Sequence, residues 1–306
     1  MLTTGRTTIS ARSVNAVATS SKFTSDFIES MMDNTAVTAE TTVVITGSSR
    51  GIGFGLAEQF LLRGCRVMVN GSSVATTDAA LERFRRYGDR VRGVAADVSS
   101  RNGLLLLHRE ALAHFGGVDI WINNAGISHE TMKVWELDAG TVERVLRCNI
   151  DGVVQGTIIP FLEMRKRGSG KIFNMEGFGS DGFMLDGMTV YGTTKRSLSY
   201  FTRSFAHEAR SSGVQVGTLS PGMVVTDLLR MTAAESSPES LKKRKFFNVM
   251  ADDVETVSVF LADRMLAARE PSPEIRWLTK PRMLGKLLLA PFRKRDFFSQ
   301  HDTAGS

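Results

Sequence analysis

The sequence has little of several features that define special classes of protein. Only two cysteines, Cys65 and Cys148, occur in 306 residues, which excludes a disulfide framework and indicates a reducing compartment. No run of about 18 consecutive apolar residues exists, so we expect no membrane-spanning helix. The five histidines are scattered without metal-ligand spacing, so we expect no metal site.

Acidic residues are absent from the first 25 residues, which are rich in serine and threonine and carry Arg6, Arg12 and Lys22. This is the composition of an organellar transit peptide, although a disordered tail has a similar one. In either case we expect residues 1–40 to lie outside the folded domain.

The composition that is present is ordinary for a globular protein, with 42% hydrophobic and 23% charged residues. The net charge of +6 is concentrated in "LKKRKFF" (241–247) and "PFRKRDFF" (291–298). We interpret these segments as solvated basic faces and expect no nucleic-acid partner. Contact with an anionic membrane surface is the open alternative.

Short β-branched runs alternate with segments of helical spacing from residue 41 to about 280. The predicted strands cover 41–47, 65–70, 90–97, 118–126, 170–175, 213–222 and 274–279, with an irregular segment before a helix at 251–268. This alternation predicts the α/β class, a single doubly wound parallel sheet of Rossmann type with helices on both faces. Ligands bind such sheets beyond the carboxyl ends of the strands.

The stretch "TGSSRGIG" (46–53) places three glycines between the first strand and the first helix. Glycine permits a tight turn and the close approach of a diphosphate, and the helix N-terminus adds free N–H groups. In this strand–turn–helix setting the motif predicts a dinucleotide site. The residues expected to contact the cofactor here are Gly47, Ser49, Arg50, Gly51, Ile52 and Gly53.

The end of the second strand indicates which dinucleotide is bound. A site for NAD usually has an acid there for the ribose 2′-hydroxyl, whereas this chain has "VNGSS", with Asn70 to Ser73 in its place. Arg50 in the glycine turn could pair with a 2′-phosphate, although it could also face solvent. We therefore expect NADPH rather than NADH.

Tyr191 and Lys195 are four residues apart on a predicted helix and share one face of it. A phenol with a pKa of about 10 is a poor acid or base at neutral pH, and a nearby ammonium is expected to lower that pKa. The pair suits carbonyl reduction, in which the tyrosine gives a proton to the oxygen as a hydride reaches the carbon.

In order along 42–230, the motifs "TGSSRGIG", "NNAG" (123–126), Asn149, "YGTTK" (191–195) and "SPGMVVTD" (220–227) resemble the short-chain dehydrogenase/reductase family. The resemblance implies that Asn149, Tyr191 and Lys195 are catalytic, and that Lys195 also binds the nicotinamide ribose. The other cofactor contacts that it implies are Asp97, Val98, Asn124, Ala125, Gly126, Pro221, Gly222 and Thr226. Such enzymes are commonly oligomeric, so a homo-oligomer or a complex with a related reductase is expected.

The serine that this family usually has about thirteen residues before the tyrosine is missing, because Gly177 and Phe178 occupy its place. "IFNMEGFGSDG", "KFFNVMA" and "IRWLTKP" are similar to the chlorophyll b reductases of chloroplasts. That similarity implies that Ser180, eleven residues before Tyr191, supplies the missing hydroxyl. Backbone N–H groups are the alternative. We interpret Glu176 as a structural residue, with substrate contact as the alternative.

The same similarity implies reduction of the C7 formyl group of chlorophyll b by NADPH, at the thylakoid membrane or in the stroma of a chloroplast. An NADPH carbonyl reductase of another apolar substrate and a non-catalytic NADPH-binding docking protein are the alternatives. We expect residues 41–280 to form the reductase domain and residues 281–306 an apolar and basic tail, which either packs or lies on lipid. A large flat substrate needs an apolar wall, for which the candidates are Phe178, Phe183, Met184, Leu185, Met223, Leu228 and Leu229.

Overall fold

The computed structural model describes residues 40–226, 238–290 and 296–297, and the predicted segment at 1–40 lies almost entirely outside them, as do Leu228 and Leu229. Within these residues seven parallel strands form one sheet in the order β3-β2-β1-β4-β5-β6-β7. The strands are β1 Thr42–Ile45, β2 Arg66–Gly71, β3 Val91–Ala95, β4 Ile120–Asn123, β5 Gly170–Met175, β6 Val214–Ser220 and β7 Glu274–Arg276. The predicted doubly wound sheet is confirmed.

Helices connect the strands and cover both faces of the sheet. They are α1 Gly51–Leu62, α2 Val74–Phe84, α3 Arg101–Phe115, α4 Ala139–Leu146, α5 Gly152–Arg167, α6 Thr189–Ala209, α7 Pro238–Met250, α8 Val254–Ala267 and α9 Lys280–Leu289. Each predicted strand and helix of the sheet region is present, with its ends moved by a few residues.

The sheet divides the core into two layers because side chains alternate along each strand. Val43 and Ile45 of β1 pack against α1, α2 and α8, whereas Val44 packs with Trp121 against α3, α5 and α6. All four side chains are fully buried. At the centre of the sheet, β1 has β2 on one side and β4 on the other. From β1 the chain adds β2 and β3 on one side of the sheet and then returns to add β4 and β5 on the other side. A crevice therefore opens beyond the carboxyl end of β1.

Two stretches differ from the sequence prediction. The helix predicted over about 139–166 is interrupted by a π-helical turn at Arg147–Asp151, which separates α4 from α5. The segment predicted to be irregular before residue 251 contains α7, and the region predicted as a tail begins with α9. In the parts of the chain that the structure describes, none of the helices is long and apolar enough to cross a membrane.

Candidate active site

The glycine turn after β1 is shaped by left-handed backbone and by a buried asparagine. Gly47 and Gly51 have φ values of 61° and 58°, a region that glycine adopts without strain. The backbone N–H of Gly47 donates to Oδ1 of Asn70 at 2.9 Å, and the hydroxyl of Ser48 accepts from the N–H of Asn70 at 2.8 Å. The N–H of Ser48 also donates to the Asn70 carbonyl oxygen at 2.8 Å, so the turn is held by the end of β2.

Glycine is also required here for close packing. A Cβ on Gly53 would lie 2.4 Å from Nδ2 of Asn124 and 2.6 Å from the carbonyl oxygen of Gly47. Asn124 donates to the carbonyl oxygens of Thr46 and Gly47, and the N–H of Ala125 donates to the Thr46 hydroxyl. The predicted glycine turn and the predicted "NNAG" turn are thus brought together at the ends of β1 and β4.

The other predicted cofactor residues of this half lie around the same crevice. Arg50 is exposed at the N-terminus of α1, next to the half-buried Ser49 and Ile52. Thr226 reaches the turn from beyond β6, since a Cβ on Gly51 would lie 3.6 Å from its methyl group. Arg50 and Thr226 therefore border the turn from opposite sides.

The end of β2 carries no acid, as predicted, but Asn70 does not face the cofactor. It is 2% exposed, and its side-chain amide donates to the carbonyl oxygens of Gly71, Val94 and Ala96. The exposed groups at this edge are Ser72 and Ser73, and Ser73 caps α2. Asn70 thus positions the turn, and the ribose end of the crevice is lined by small neutral groups.

Asp97 and Val98 follow β3 at the same edge of the sheet. Asp97 is exposed and accepts from the N–H of Ser99 at 2.9 Å. Val98 is held close to α5, because a Cβ on Gly152 would lie 2.7 Å from the Val98 carbonyl oxygen. Both residues therefore border the β3 side of the crevice, where the adenine was predicted.

Tyr191 and Lys195 lie on the buried face of α6, at the ends of β4 and β5. A Cβ on Gly177 would lie 2.8 Å from the Tyr191 hydroxyl, so that hydroxyl lies directly over the Gly177 Cα. Lys195 Nζ lies 5.8 Å from the centre of the Tyr191 ring and donates to the Met175 carbonyl oxygen at 3.2 Å. A Cβ on Gly126 would lie 3.3 Å from the same Nζ, so the lysine borders the "NNAG" turn.

The protonation of the pair differs from the sequence prediction. We expected the ammonium to lower the pKa of the phenol, but burial raises the pKa of Tyr191 to about 12. Burial also lowers the pKa of Lys195 to about 8, and Cys148 and Glu176 oppose that shift. Desolvation acts against both charged forms and is stronger here than their mutual attraction. The tyrosine is therefore a protonated phenol at neutral pH, which is the form that can donate a proton.

Asn149 is fully buried in the π-helical turn, and such turns are frequent at functional sites. Its side-chain oxygen accepts from the N–H of Ile127, and its nitrogen donates to the Ile127 carbonyl oxygen, both at 2.9 Å. The nitrogen also donates to the Thr194 hydroxyl. Because Gly126 lies between Asn149 and Lys195, the three predicted catalytic residues of the family motif meet at one place.

Ser180 lies on the loop between β5 and α6, and its backbone N–H donates to the Gly177 carbonyl oxygen at 3.1 Å. Its carbonyl oxygen accepts from Arg196 at 2.8 Å and from the Ser199 hydroxyl at 3.2 Å. It also lines a cavity of about 240 Å³ with Glu176, Arg203 and other polar residues, and Tyr191 is not among the described residues that line it. The predicted catalytic role of Ser180 stays a prediction.

Sequence reasoning missed a buried polar network beneath the site. The amide of Asn123 donates to Asn174 Oδ1 at 2.8 Å and to the Thr157 hydroxyl at 3.2 Å. Asn174 in turn donates to the Thr202 hydroxyl at 2.9 Å. The network joins β4, α5, β5 and α6, the elements that carry the catalytic groups. The asparagine at each strand end was the one available signal.

On the far side of β6, Pro221 is buried and Gly222 has a φ of 72°. A Cβ on Gly222 would lie 2.6 Å from Leu278, so glycine is needed for this turn. The turn leads to Thr226, which lies near Gly51, and the predicted contact of Pro221 and Gly222 with the nicotinamide stays a prediction.

A glycine turn, a buried Asn–Tyr–Lys set and a seven-stranded parallel sheet define a dinucleotide-dependent oxidoreductase of the Rossmann type. Residues 41–237 match the model of the short chain dehydrogenase family, and the chain belongs to that family.

Similar proteins include two chloroplastic enzymes of Arabidopsis thaliana. The chain is 32% identical over 280 residues to the probable chlorophyll(ide) b reductase NYC1, covering 86% of this chain and 55% of that protein. It is 34% identical over 233 residues to the chlorophyll(ide) b reductase NOL, covering 74% and 65%. The chain thus spans less than two thirds of the length of either relative.

Among solved structures, a 3-ketoacyl-(acyl-carrier-protein) reductase from Brucella melitensis, complexed with NADH, matches with a TM-score of 0.67 and 24% identity. The match covers 77% of this chain and 96% of that one, and it supports the fold.

Proposed function

We propose that this oxidoreductase reduces the C7 formyl group of chlorophyll b to a hydroxymethyl group, giving 7-hydroxymethyl chlorophyll a, with NADPH as the hydride donor. The observation that carries the proposal is the protonated Tyr191 hydroxyl over Gly177, beside Lys195 and the glycine crevice. The similarity to two chlorophyll(ide) b reductases supports the choice of substrate.

The roles of the site residues follow the chemistry of the reaction. The cofactor supplies a hydride to the formyl carbon when it is bound. Tyr191 donates a proton to the formyl oxygen, while Lys195 and Asn149 hold and replenish that proton. Ser180 donates a hydrogen bond to the same oxygen after the loop moves toward it.

NADPH is favoured over NADH by charge at the ribose end of the crevice. The exposed groups there are Ser72 and Ser73, and Arg50 lies at the N-terminus of α1. A 2′-phosphate would meet a guanidinium and a helix N-terminus and no carboxylate at the strand end.

The rim around the Tyr191 side of the site is suited to a flat apolar substrate. Phe183 is 65% exposed and Met184 is 89% exposed on the β5–α6 loop. Trp135 is 77% exposed on the neighbouring loop. An ion pair between Lys133 and Asp186, at 2.7 Å, joins that loop to the β5–α6 loop. Large apolar side chains exposed together in this way favour the binding of an apolar partner, and a macrocycle edge fits that description.

Helix α9 supports a peripheral contact with a membrane. Lys286 faces inward and pairs with Asp252, while Leu284, Leu287 and Leu288 are more than half exposed. A ten-residue helix with leucines outside and Lys286 inside would place an apolar face on lipid. Three basic residues, 293–295, follow this helix in the sequence. We propose a location in a chloroplast, in the stroma or on the thylakoid surface, because the relatives are named as chloroplastic. A homo-oligomer or a complex with a related reductase is part of the same proposal.

The experiment that tests this function mixes purified protein, NADPH and detergent-dispersed chlorophyll b and follows the absorption spectrum. The wild type should convert the pigment. Tyr191→Phe should abolish the change, whereas Tyr200→Phe, on the exposed side of the same helix, should leave it intact.

Other outcomes separate the alternatives. NADPH oxidation with acyl, steroid or quinone carbonyls but none with the pigment would indicate a general carbonyl reductase. A lack of turnover with every carbonyl tested, despite NADPH binding, would indicate a docking protein.

A further inference from the structure

Glu176 is a buried carboxylate that directly follows β5. It is 5% exposed. Its Oε1 accepts from the Ser199 hydroxyl of α6 at 2.8 Å, and its Oε2 accepts from the Ser220 hydroxyl at the end of β6. Its backbone N–H donates to the Leu219 carbonyl oxygen. One side chain thus ties together the three elements that build the catalytic half of the site.

The same residue lies alongside the catalytic lysine. Nζ of Lys195 is bonded to the carbonyl oxygen of Met175, the residue before Glu176. A Cβ on Gly177, the residue after it, would lie 3.2 Å from Cε of Lys195. Lys195 and Ser199 are one helical turn apart, so the carboxylate bonded to Ser199 lies on the same stripe of α6 as Tyr191 and Lys195.

Burying a carboxylate is costly unless a positive charge or several donors compensate for it. The two side-chain donors of Glu176 are neutral hydroxyls. Lys195 is also a buried charge, because the residue is 4% exposed and its ammonium group donates to a single backbone carbonyl oxygen. The two buried charges are of opposite sign, and the negative charge of Glu176 favours the ammonium form of Lys195.

We propose that Glu176 is a positioning residue whose negative charge keeps Lys195 in its ammonium form for proton delivery and cofactor binding. The inference rests on the proposed function, since it assumes that Lys195 acts in that role. The buried carboxylate takes over part of the organisation of a site that lacks the usual serine.

Other titratable groups face this pair from the surrounding elements. Cys148, in the π-helical turn, lies near Lys195, and burial raises the pKa of its thiol. The cavity beside Glu176 is also lined by Arg196 and Arg203 from α6, Asp181 from the loop, and Glu274 and Arg276 from β7. Glu274 and Arg276 pair with each other at 3.2 Å. Apart from Glu176, this lining holds three arginines and two carboxylates, so Glu176 contributes the third negative charge there while it also lies next to Lys195.

The test is the pH dependence of two quantities, turnover and the dissociation constant for NADPH, in the intact protein. Glu176→Gln keeps the shape and removes the charge, so the alkaline loss of both should begin about one pH unit lower than in the wild type. Glu176→Asp keeps the charge and should restore the wild-type profile. Asp181→Asn, a carboxylate on the exposed part of the same loop, is the matched control and should shift neither quantity.

A second set of variants moves the negative charge from position 176 to position 199. Adding Ser199→Asp to Glu176→Gln returns a carboxylate to the same contact and should move the profile back. If Glu176→Gln does not fold, Ser199→Asp alone should move the alkaline limb to higher pH. A uniform loss of activity at every pH in Glu176→Gln, or no shift in Ser199→Asp, would overturn the inference.

The two proposals fail differently. A normal shift in NADPH binding without pigment turnover would reject chlorophyll b as substrate and leave the role of Glu176 standing. Pigment turnover with an unshifted profile would reject only the role of Glu176.

Discussion

The two halves of the site are built in opposite ways. In the glycine-turn half, Asn70, Asn124 and Thr46 satisfy backbone groups of neighbouring turns, and a side chain at Gly53 would collide with Asn124 and with the Gly47 backbone. In the β5–α6 half, the Ser180 carbonyl on a glycine-rich loop accepts from Arg196, and large apolar side chains are exposed. The first half is therefore closely packed around its turns, whereas the second presents an apolar surface to solvent.

The largest expected effect within this comparison concerns Ser180. If the loop brings its hydroxyl to the carbonyl oxygen, Ser180→Ala should reduce turnover about 100-fold, because an oxyanion donor contributes roughly 3 kcal/mol. The dissociation constant for NADPH should not change, since the glycine-turn half is untouched. Single-turnover absorbance and a fluorescence titration measure the two quantities. Near-normal turnover would mean that backbone N–H groups polarise the carbonyl.

A substitution at Gly53 tests whether the glycine-turn half of the site is rigid. Gly53→Ala places a methyl group 2.4 Å from Asn124 Nδ2 and 2.6 Å from a backbone oxygen. We expect a loss of about 1–3 kcal/mol in the free energy of unfolding and weaker NADPH binding, because overpacking shifts the turn. Gly285→Ala is the control, since nothing lies within 4 Å of its added methyl group. Tight NADPH binding in Gly53→Ala would show that the turn is adaptable after all.

The same contrast explains which parts of the site the sequence could predict. The glycine turn is a local motif, so its position between a strand and a helix could be predicted from the glycine spacing and the flanking segments. Glu176 and the Asn123–Asn174 network depend on partners 23 to 51 positions away in the chain, on other elements. Their geometry arises only when the sheet forms, and no local pattern encodes it. The strand order was predictable because buried strands and crossover helices leave few topologies.

A smaller effect is expected from pH. Burial lowers the pKa of Lys195 from 10.5 to about 8, so its ammonium is present below that pH and is lost as the pH rises through it. Turnover should therefore fall about tenfold per unit above pH 8. Tyr191 titrates only near 12, so it does not set this limb. A profile that is flat to pH 10 would place the lysine charge outside the rate-determining chemistry.

The smallest expected effect distinguishes Lys195 from Lys171, a second lysine whose pKa is lowered by burial to about 8. Lys171 donates to the carbonyl oxygens of Met265, Leu266 and Ala268 at 2.9–3.0 Å, where it satisfies the C-terminal end of α8. Lys171→Met should lower the free energy of unfolding by about 1–3 kcal/mol, because those acceptors lose their donor. Chemical denaturation measures the loss, with the exposed Lys166→Met as the control.

The kinetic profile of Lys171→Met is the informative part of that experiment. Lys171 begins its strand at the edge of the sheet opposite to the crevice, so turnover and its alkaline limb should match the wild type. Two lysines with the same lowered pKa would then differ in function only because they lie at different places in the fold. If the limb moved in Lys171→Met, a titration near pH 8 could no longer be assigned to Lys195. The proton-delivery role would then have to be tested by replacing the catalytic lysine itself.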